Sequence, residues 1–146
     1  MSFAKLVHNC RTSPPQYIFD ELEAFDNDVK DAFTEFSQLV PDSIDWSRAQ
    51  RSTGTGGIGL RSSARHAAAA FAASCVNTAP LQSNFFPALS EADVLAEAHL
   101  ATAISSLPQS EAVAAWLEAG LGISQKTLSR SIDRAEADAE CTQGTG

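Results

Sequence analysis

The stretch from Ala64 to Cys75, ARHAAAAFAASC, is dominated by alanine. Alanine has the best helix propensity of any residue, so this segment forms helix with little tertiary help. It also has almost no side-chain bulk. A face of Ala64, Ala67, Ala68, Phe71, Ala72 and Cys75 lets another helix come close, which suits a buried central helix. Ser62 or Ser63 is placed to cap it, and the pattern carries it to about Val76. No segment of the chain alternates apolar and polar residues with period two, so no sheet is expected. The reading is an all-α fold, a compact bundle of about five to seven helices around the alanine-rich one.

The flanking segments fit that frame. The first residues, to about Arg11, read as a short helix stopped by TSPP. From Pro15 to Val40 the apolar residues Ile18, Leu22, Phe25, Val29, Ala32, Phe36 and Leu39 recur at alternate spacings of four and three, a single helical stripe. The other faces are strongly acidic. The stripe is either a core face or a coiled-coil seam, although phenylalanine suits a narrow two-stranded seam poorly. Pro41 ends this helix, and Asp42 caps a short one that turns Ile44 and Trp46 inward. After the alanine-rich helix, NTAPLQSNFFPAL reads as a connection whose Phe85 and Phe86 fold back onto the core. Ser90 and Asp93 form a capping-box pattern. The helix they start runs to about Ser106 with Val94, Leu95, Ala98, Ala101 and Ile104 inward. A further helix covers Ser110 to Ala119 with Val113, Trp116 and Leu117 apolar, stopped by Gly120 or Gly122. The last helix is capped by Ser124, stapled by Ile123 and Leu128, and continued by Ile132, Ala135 and Ala139. Residues 1–140 are expected to form one helical domain and 141–146 a frayed tail.

Composition removes several function classes. With 146 residues the chain can bury a core without a metal or disulfide staple. No apolar run approaches the roughly 20 residues of a membrane span, and the opening is too short in apolar residues for a signal peptide. Cys10, Cys75 and Cys141 are scattered, as are His8, His66 and His99. This implies free thiols in a reducing, intracellular compartment and no metal site; nucleus and cytoplasm are not distinguished. The net charge of -8 would repel a phosphate backbone. Its distribution is uneven, however. No acid occurs between Trp46 and Ser90, a window that holds Arg48, Arg51, Arg61, Arg65 and His66.

Within that window, GTGGIG (Gly54–Gly59) fits the G-x-G-x-x-G dinucleotide fingerprint. The fingerprint needs a buried strand before the glycines and an acid about 20 residues after them. SRAQRST is no such strand, and no acid follows until Glu91. No Walker lysine follows either. Gly54, Gly56, Gly57 and Gly59 are therefore read as a structural turn supplying positive φ and close backbone approach, with no cofactor. No H-x-x-x-H, G-x-S-x-G or paired-aspartate motif offers catalysis, and none is expected.

TGGIGLRSSARHAAAAFAAS resembles the G-G-(L/I)-G-(L/I)-R-S-A segment, with its following alanine-rich helix, found downstream of the polymerase core in reverse-transcriptase-like proteins of non-LTR retrotransposons. LVHNCRTSPP is similar to the L-x-x-x-x-R-T-x-P-P stretch that precedes it. FDNDVKDAFTEF is similar to the F-D-(D/E)-x-(V/L) start of the long helix, and WSRAQ to the tryptophan helix before the glycines. SQKTLSRSIDRA resembles the S-Q-(K/R)-x-L-S-x-x-(I/L)-D element beyond. The five segments keep the family's order over nearly the whole chain. The resemblance implies a helical thumb or linker region, non-catalytic and accessory to polymerisation. The palm's metal-binding F/Y-A-D-D box, the endonuclease and the zinc knuckle are absent. That is expected of a piece of a larger polymerase or of a remnant gene.

Two readings of the basic segment follow. Arg48, Arg51, Arg61 and Arg65 form a weak, non-specific nucleic-acid face, or they neutralise the acidic helix beside them. In the second case the domain works by protein contacts, with another protein or with the polymerase domain.

Overall fold

The computed structural model describes residues 3–108, 114 and 124–143. Among them every regular element is helical. They are α1 (Phe3–Thr12), α2 (Phe19–Ser37), α3 (Ser43–Gln50), α4 (Ser63–Phe85), α5 (Glu91–Leu95), α6 (Ala98–Ser105) and α7 (Gln125–Gln143), with single 3-10 turns at Pro15–Tyr17 and Thr53–Thr55. The alanine-rich α4 is the centre, and α1, α2, α5, α6 and α7 all pack on it.

Small side chains let α4 be surrounded rather than merely faced. Ala67 and Ala70 meet Leu6, Cys10 and Leu22 on one side. Ala69, Phe71, Ala72 and Ala73 meet Leu100, Ala103, Leu107, Leu128 and Ile132 on the other. A larger residue at Ala69 or Ala72, both fully buried, would push a neighbouring helix away.

α4 is longer than its alanine pattern predicts. It passes through Asn77–Phe85, read from the sequence as a connection, with Pro80 inside the helix. An interior proline removes a backbone hydrogen bond and costs about 3 kcal/mol. Tertiary and side-chain contacts offset that cost. Ala79 is fully buried. Thr78 Oγ1 donates to the Ser74 carbonyl at 2.9 Å and accepts from Gln82 Nε2 at 3.0 Å, bracing the turns on both sides of the proline. The extension carries Phe85 and Phe86 beyond the packed part of the helix. They do not fold back onto the core but stand in water, 78% and 64% exposed.

The segment after α4 is two helices rather than one. Ser90 and Asp93 form the expected capping box for α5. The chain then breaks at Ala96, and the Glu97 side chain caps α6 by accepting from the Leu100 amide at 3.1 Å. The break rotates the register, so Leu100, Ala103 and Leu107 are buried while Ala98 and Ala101 are exposed.

The α2 stripe is covered only in part. Leu22 is buried and Phe25 half-buried, but Ala32, Phe36 and Leu39 are exposed. α3 instead meets the neighbouring face, where Phe33 packs on Trp46 with ring centroids 5.8 Å apart and Lys30 Nζ lies over the Trp46 ring. Ile44 points outward, 52% exposed. α2 starts at Phe19 rather than Pro15, after the 3-10 turn, and ends at Gln38, which takes a left-handed conformation (φ 58°). In α7, Leu128 and Ile132 are buried as the stripe predicts, Ala135 is half-buried and Ala139 exposed. The helix continues through Cys141 and Thr142, which the sequence reading assigned to a frayed tail. The helix expected over Ser110–Ala119, its glycine stop and the Ile123 staple lie outside the described residues, Ala114 apart.

Candidate functional site

The residues singled out in the basic segment gather at the N-terminal end of α4. The glycine turn leads there from α3. Gly56 and Gly59 adopt positive φ (81° and 84°). At Gly57 the constraint is steric, because a Cβ would lie 2.2 Å from the Arg51 carbonyl oxygen and 2.6 Å from that of Arg48. Gly54 has neither feature. The loop folds back over the end of α3, with the Leu60 amide donating to the Ala49 carbonyl at 3.1 Å and the Gly59 amide to the Arg51 carbonyl at 2.9 Å.

A helix start exposes amide donors and the positive end of the helix dipole. In α4 these are consumed within the fold. Ser62 Oγ accepts from the Arg65 amide at 3.1 Å. Asp26, reaching across from α2, accepts from the Ser63 amide at 2.7 Å, the Ala64 amide at 3.2 Å and the Ser62 hydroxyl at 2.6 Å. A carboxylate of the protein thus sits where a phosphate-binding loop would place its ligand. What precedes the glycines is helix α3 rather than a strand.

The arginines face α7. Asp133, Glu136 and Glu140 are spaced three and four residues apart, so they form one stripe along that helix. Arg61 Nη1 donates to Asp133 Oδ2. Arg65 Nη1 donates to Glu136 Oε2 at 2.9 Å, and its Nε lies in ion-pair contact with Oε1 at 2.6 Å. Arg51 and Arg48 share Glu140 Oε2 at 2.7 and 3.0 Å. Every arginine of the segment therefore has a carboxylate partner, on the last helix and not on the acidic α2. Arg48 adds a longer contact to Asp45. The arginines differ in exposure: Arg51 is buried, Arg61 and Arg65 are half-buried, and the Arg48 side chain is 56% exposed. Hydrogen bonding to Arg48, with Arg51 adding to it, holds Glu140 below the usual carboxylate range, whereas burial pushes Glu136 up.

Asp133 is the hub. It is 1% exposed and also receives the Ser52 amide at 3.4 Å. His66 Nε2 faces its Oδ1 at 3.5 Å, too long for a good hydrogen bond. Desolvation, helped by the nearby Arg61 charge, lowers His66 to a pKa of about 4, so the ring is neutral at physiological pH. Arg11 closes the ring of contacts by donating from Nε and Nη2 to Gln125 Oε1 at 2.9 and 2.7 Å.

The sequence reading placed the four arginines and His66 in one window but gave no site role to Asp26, His66, Asp133, Glu136 or Glu140. The i, i+3, i+7 spacing of the last three was a readable signal. Nothing local marked Asp26, whose role depends on where α2 crosses α4. Chemically the arrangement is a set of paired charges in which Arg51 Nε and Asp133 Oδ1 are left without a hydrogen bond. Among the described residues no group of three or more histidines, cysteines or acids is placed to hold a metal ion, and no helix is long and apolar enough to cross a membrane. No family model, curated protein or solved structure matches the chain.

Proposed function

We propose that the chain is a non-catalytic helical accessory domain of reverse-transcriptase-like ancestry that works by docking against another protein, the polymerase core being the partner that the resemblance implies. The observation that carries this reading is the uncovered end of the α2 stripe. Phe36 is 92% and Val40 88% exposed, and Leu39 and Ile44, in the same stretch of chain from the end of α2 to the start of α3, are exposed as well. Burying such a side chain is worth about 1.5–3 kcal/mol, and apolar groups left together in water mark contact surfaces. Two further observations support it. The five segments that carry the resemblance converge in space: Arg11 meets Gln125, Asp26 caps Ser62 and Ser63, the Leu60 amide donates to the Ala49 carbonyl, and Arg61 meets Asp133. A duplex binding through the four arginines would also have to displace carboxylates that already hold them.

The test has two arms. Duplex DNA is titrated with the domain at several salt concentrations. The expected result is no salt-dependent binding. A slope near about -3.6 in log affinity against log salt, the value for four phosphate contacts, would restore the nucleic-acid face. A purified non-LTR reverse-transcriptase core is then offered in trans. Wild type is expected to bind it and a Phe36→Asp, Val40→Asp variant to lose binding. Equal behaviour of the two proteins contradicts the proposal.

A further inference from the structure

The arginines of the basic segment pair with α7, and that leaves acids of α2 without counter-charges. Asp28, Asp31 and Glu35 are exposed, and among the described residues none of them takes part in an ion pair. Their spacing of three and four residues sets them in one row along the helix. Like charges at the Asp31–Glu35 spacing weaken a helix, so the row is unfavourable to the free domain. α2 has one basic residue, Lys30, and it lies over the Trp46 ring on the side that α3 covers.

The row borders an uncovered apolar strip. Along the α2 stripe Leu22 is buried, Phe25 and Val29 are half-buried, and Ala32 and Phe36 are exposed, so cover falls away toward the C-terminal end. Ala32 lies four residues from both Asp28 and Phe36 and three from Glu35, which makes it their neighbour on the helix surface. Asp28 and Glu35 each directly precede a stripe residue, Val29 and Phe36. That is the flank of an apolar seam, where a partner helix places its own charges. Strip and flank together form one half of a helix-on-helix contact. The flank fixes the charge of the other half. A second copy packed antiparallel would set acid against acid along it, and a phosphate backbone or an anionic membrane would be repelled.

We infer that this face of α2 receives a basic amphipathic helix of the docking partner. The apolar side of that helix covers Ala32 and Phe36, and its lysines or arginines stand opposite Asp28, Asp31 and Glu35. The inference rests on the docking reading and adds to it the chemistry of the partner's contact element.

Two peptides of about 20 residues, long enough to form an isolated helix, are titrated into the full chain and followed by amide chemical shifts. Both carry one leucine stripe, flanked by lysines in the first and by glutamates in the second. The lysine peptide is expected to shift the amides of residues 28–36 saturably. The glutamate peptide should bind at least about tenfold more weakly, the effect of two or three exposed ion pairs. An Asp28→Lys, Glu35→Lys variant, changed only at exposed side chains, should reverse that preference. Phe36→Ser should weaken the lysine peptide about tenfold through lost apolar burial. Equal affinity of wild type for the two peptides would overturn the inference. So would saturable shifts confined to other helices, no saturable binding of the lysine peptide, or an unchanged preference in the charge-reversed variant. Shifts at Ala32 and Phe36 that follow protein concentration alone would assign the face to a second copy and overturn it too. The reverse-transcriptase core separates this inference from the docking reading. A core that binds wild type and the charge-reversed variant equally, yet not the Phe36→Asp, Val40→Asp variant, upholds docking and refutes the basic helix. A core that binds none of them, with the peptide preference intact, removes the polymerase as partner and leaves the basic helix supported.

Discussion

The two ends of α4 are built on opposite principles. At the N-terminal end, side chains from α1, α2, α3 and α7 meet in a polar network, and even buried charges such as Asp133 and Arg51 have partners. At the C-terminal end the helix runs past its packing, and Phe85 and Phe86 stand in water. The first end fixes how the helices sit relative to one another. The second, like the Phe36 corner of α2, contributes little to that and is free to serve contacts with other molecules. Breaking the first should therefore disturb the fold, whereas changing the second should not.

The largest effect is expected at the hub. Asp133→Ala would empty a buried site and leave the half-buried Arg61 charge and Ser52 amide unpaired. Urea unfolding should show a loss of about 3–5 kcal/mol, the range for removing one partner of a buried ion pair.

Acid comes next. The folded pKa of His66 lies near 4, below its ordinary 6.5, so the unfolded chain binds this proton more readily. The contribution is fully present above about pH 6.5 and is lost as pH falls toward 4, to the extent of roughly 3 kcal/mol. A stability-against-pH curve should slope over that window in wild type and flatten in His66→Gln.

Gly57→Ala should cost about 1–3 kcal/mol, because its Cβ would meet backbone rather than a side chain that can swing aside. The smallest effect is at the other end. Phe86→Ser and Phe36→Ser should each stay within about 0.5 kcal/mol of wild type by urea unfolding. A loss above about 2 kcal/mol at either would erase the contrast between the regions.

The sequence made the helical class readable, because the alanine run and the four-and-three stripe are local patterns. It also exposed the Ser90–Asp93 capping box and the unusual acid-free window. What it hid depended on tertiary context. Pro80 reads as a stop, yet Ala79 is buried and Thr78 braces the turn, so the helix continues. The α2 stripe reads as one continuous apolar face, core or coiled-coil seam, but α3 docks on Phe33 and leaves Phe36 bare. The arginines are legible as a cluster. Their partners are not, because α2 and α7 are both acidic and only the packing decides which one lies opposite.

The most direct test of whether these arginines serve the fold is a double-mutant cycle on Arg61→Met and Asp133→Asn, followed by urea unfolding. A coupling of about 1.5–3 kcal/mol is predicted for a pair in one buried network. Additive losses, with a coupling near zero, would contradict it and return Arg61 to the role of a free surface cation.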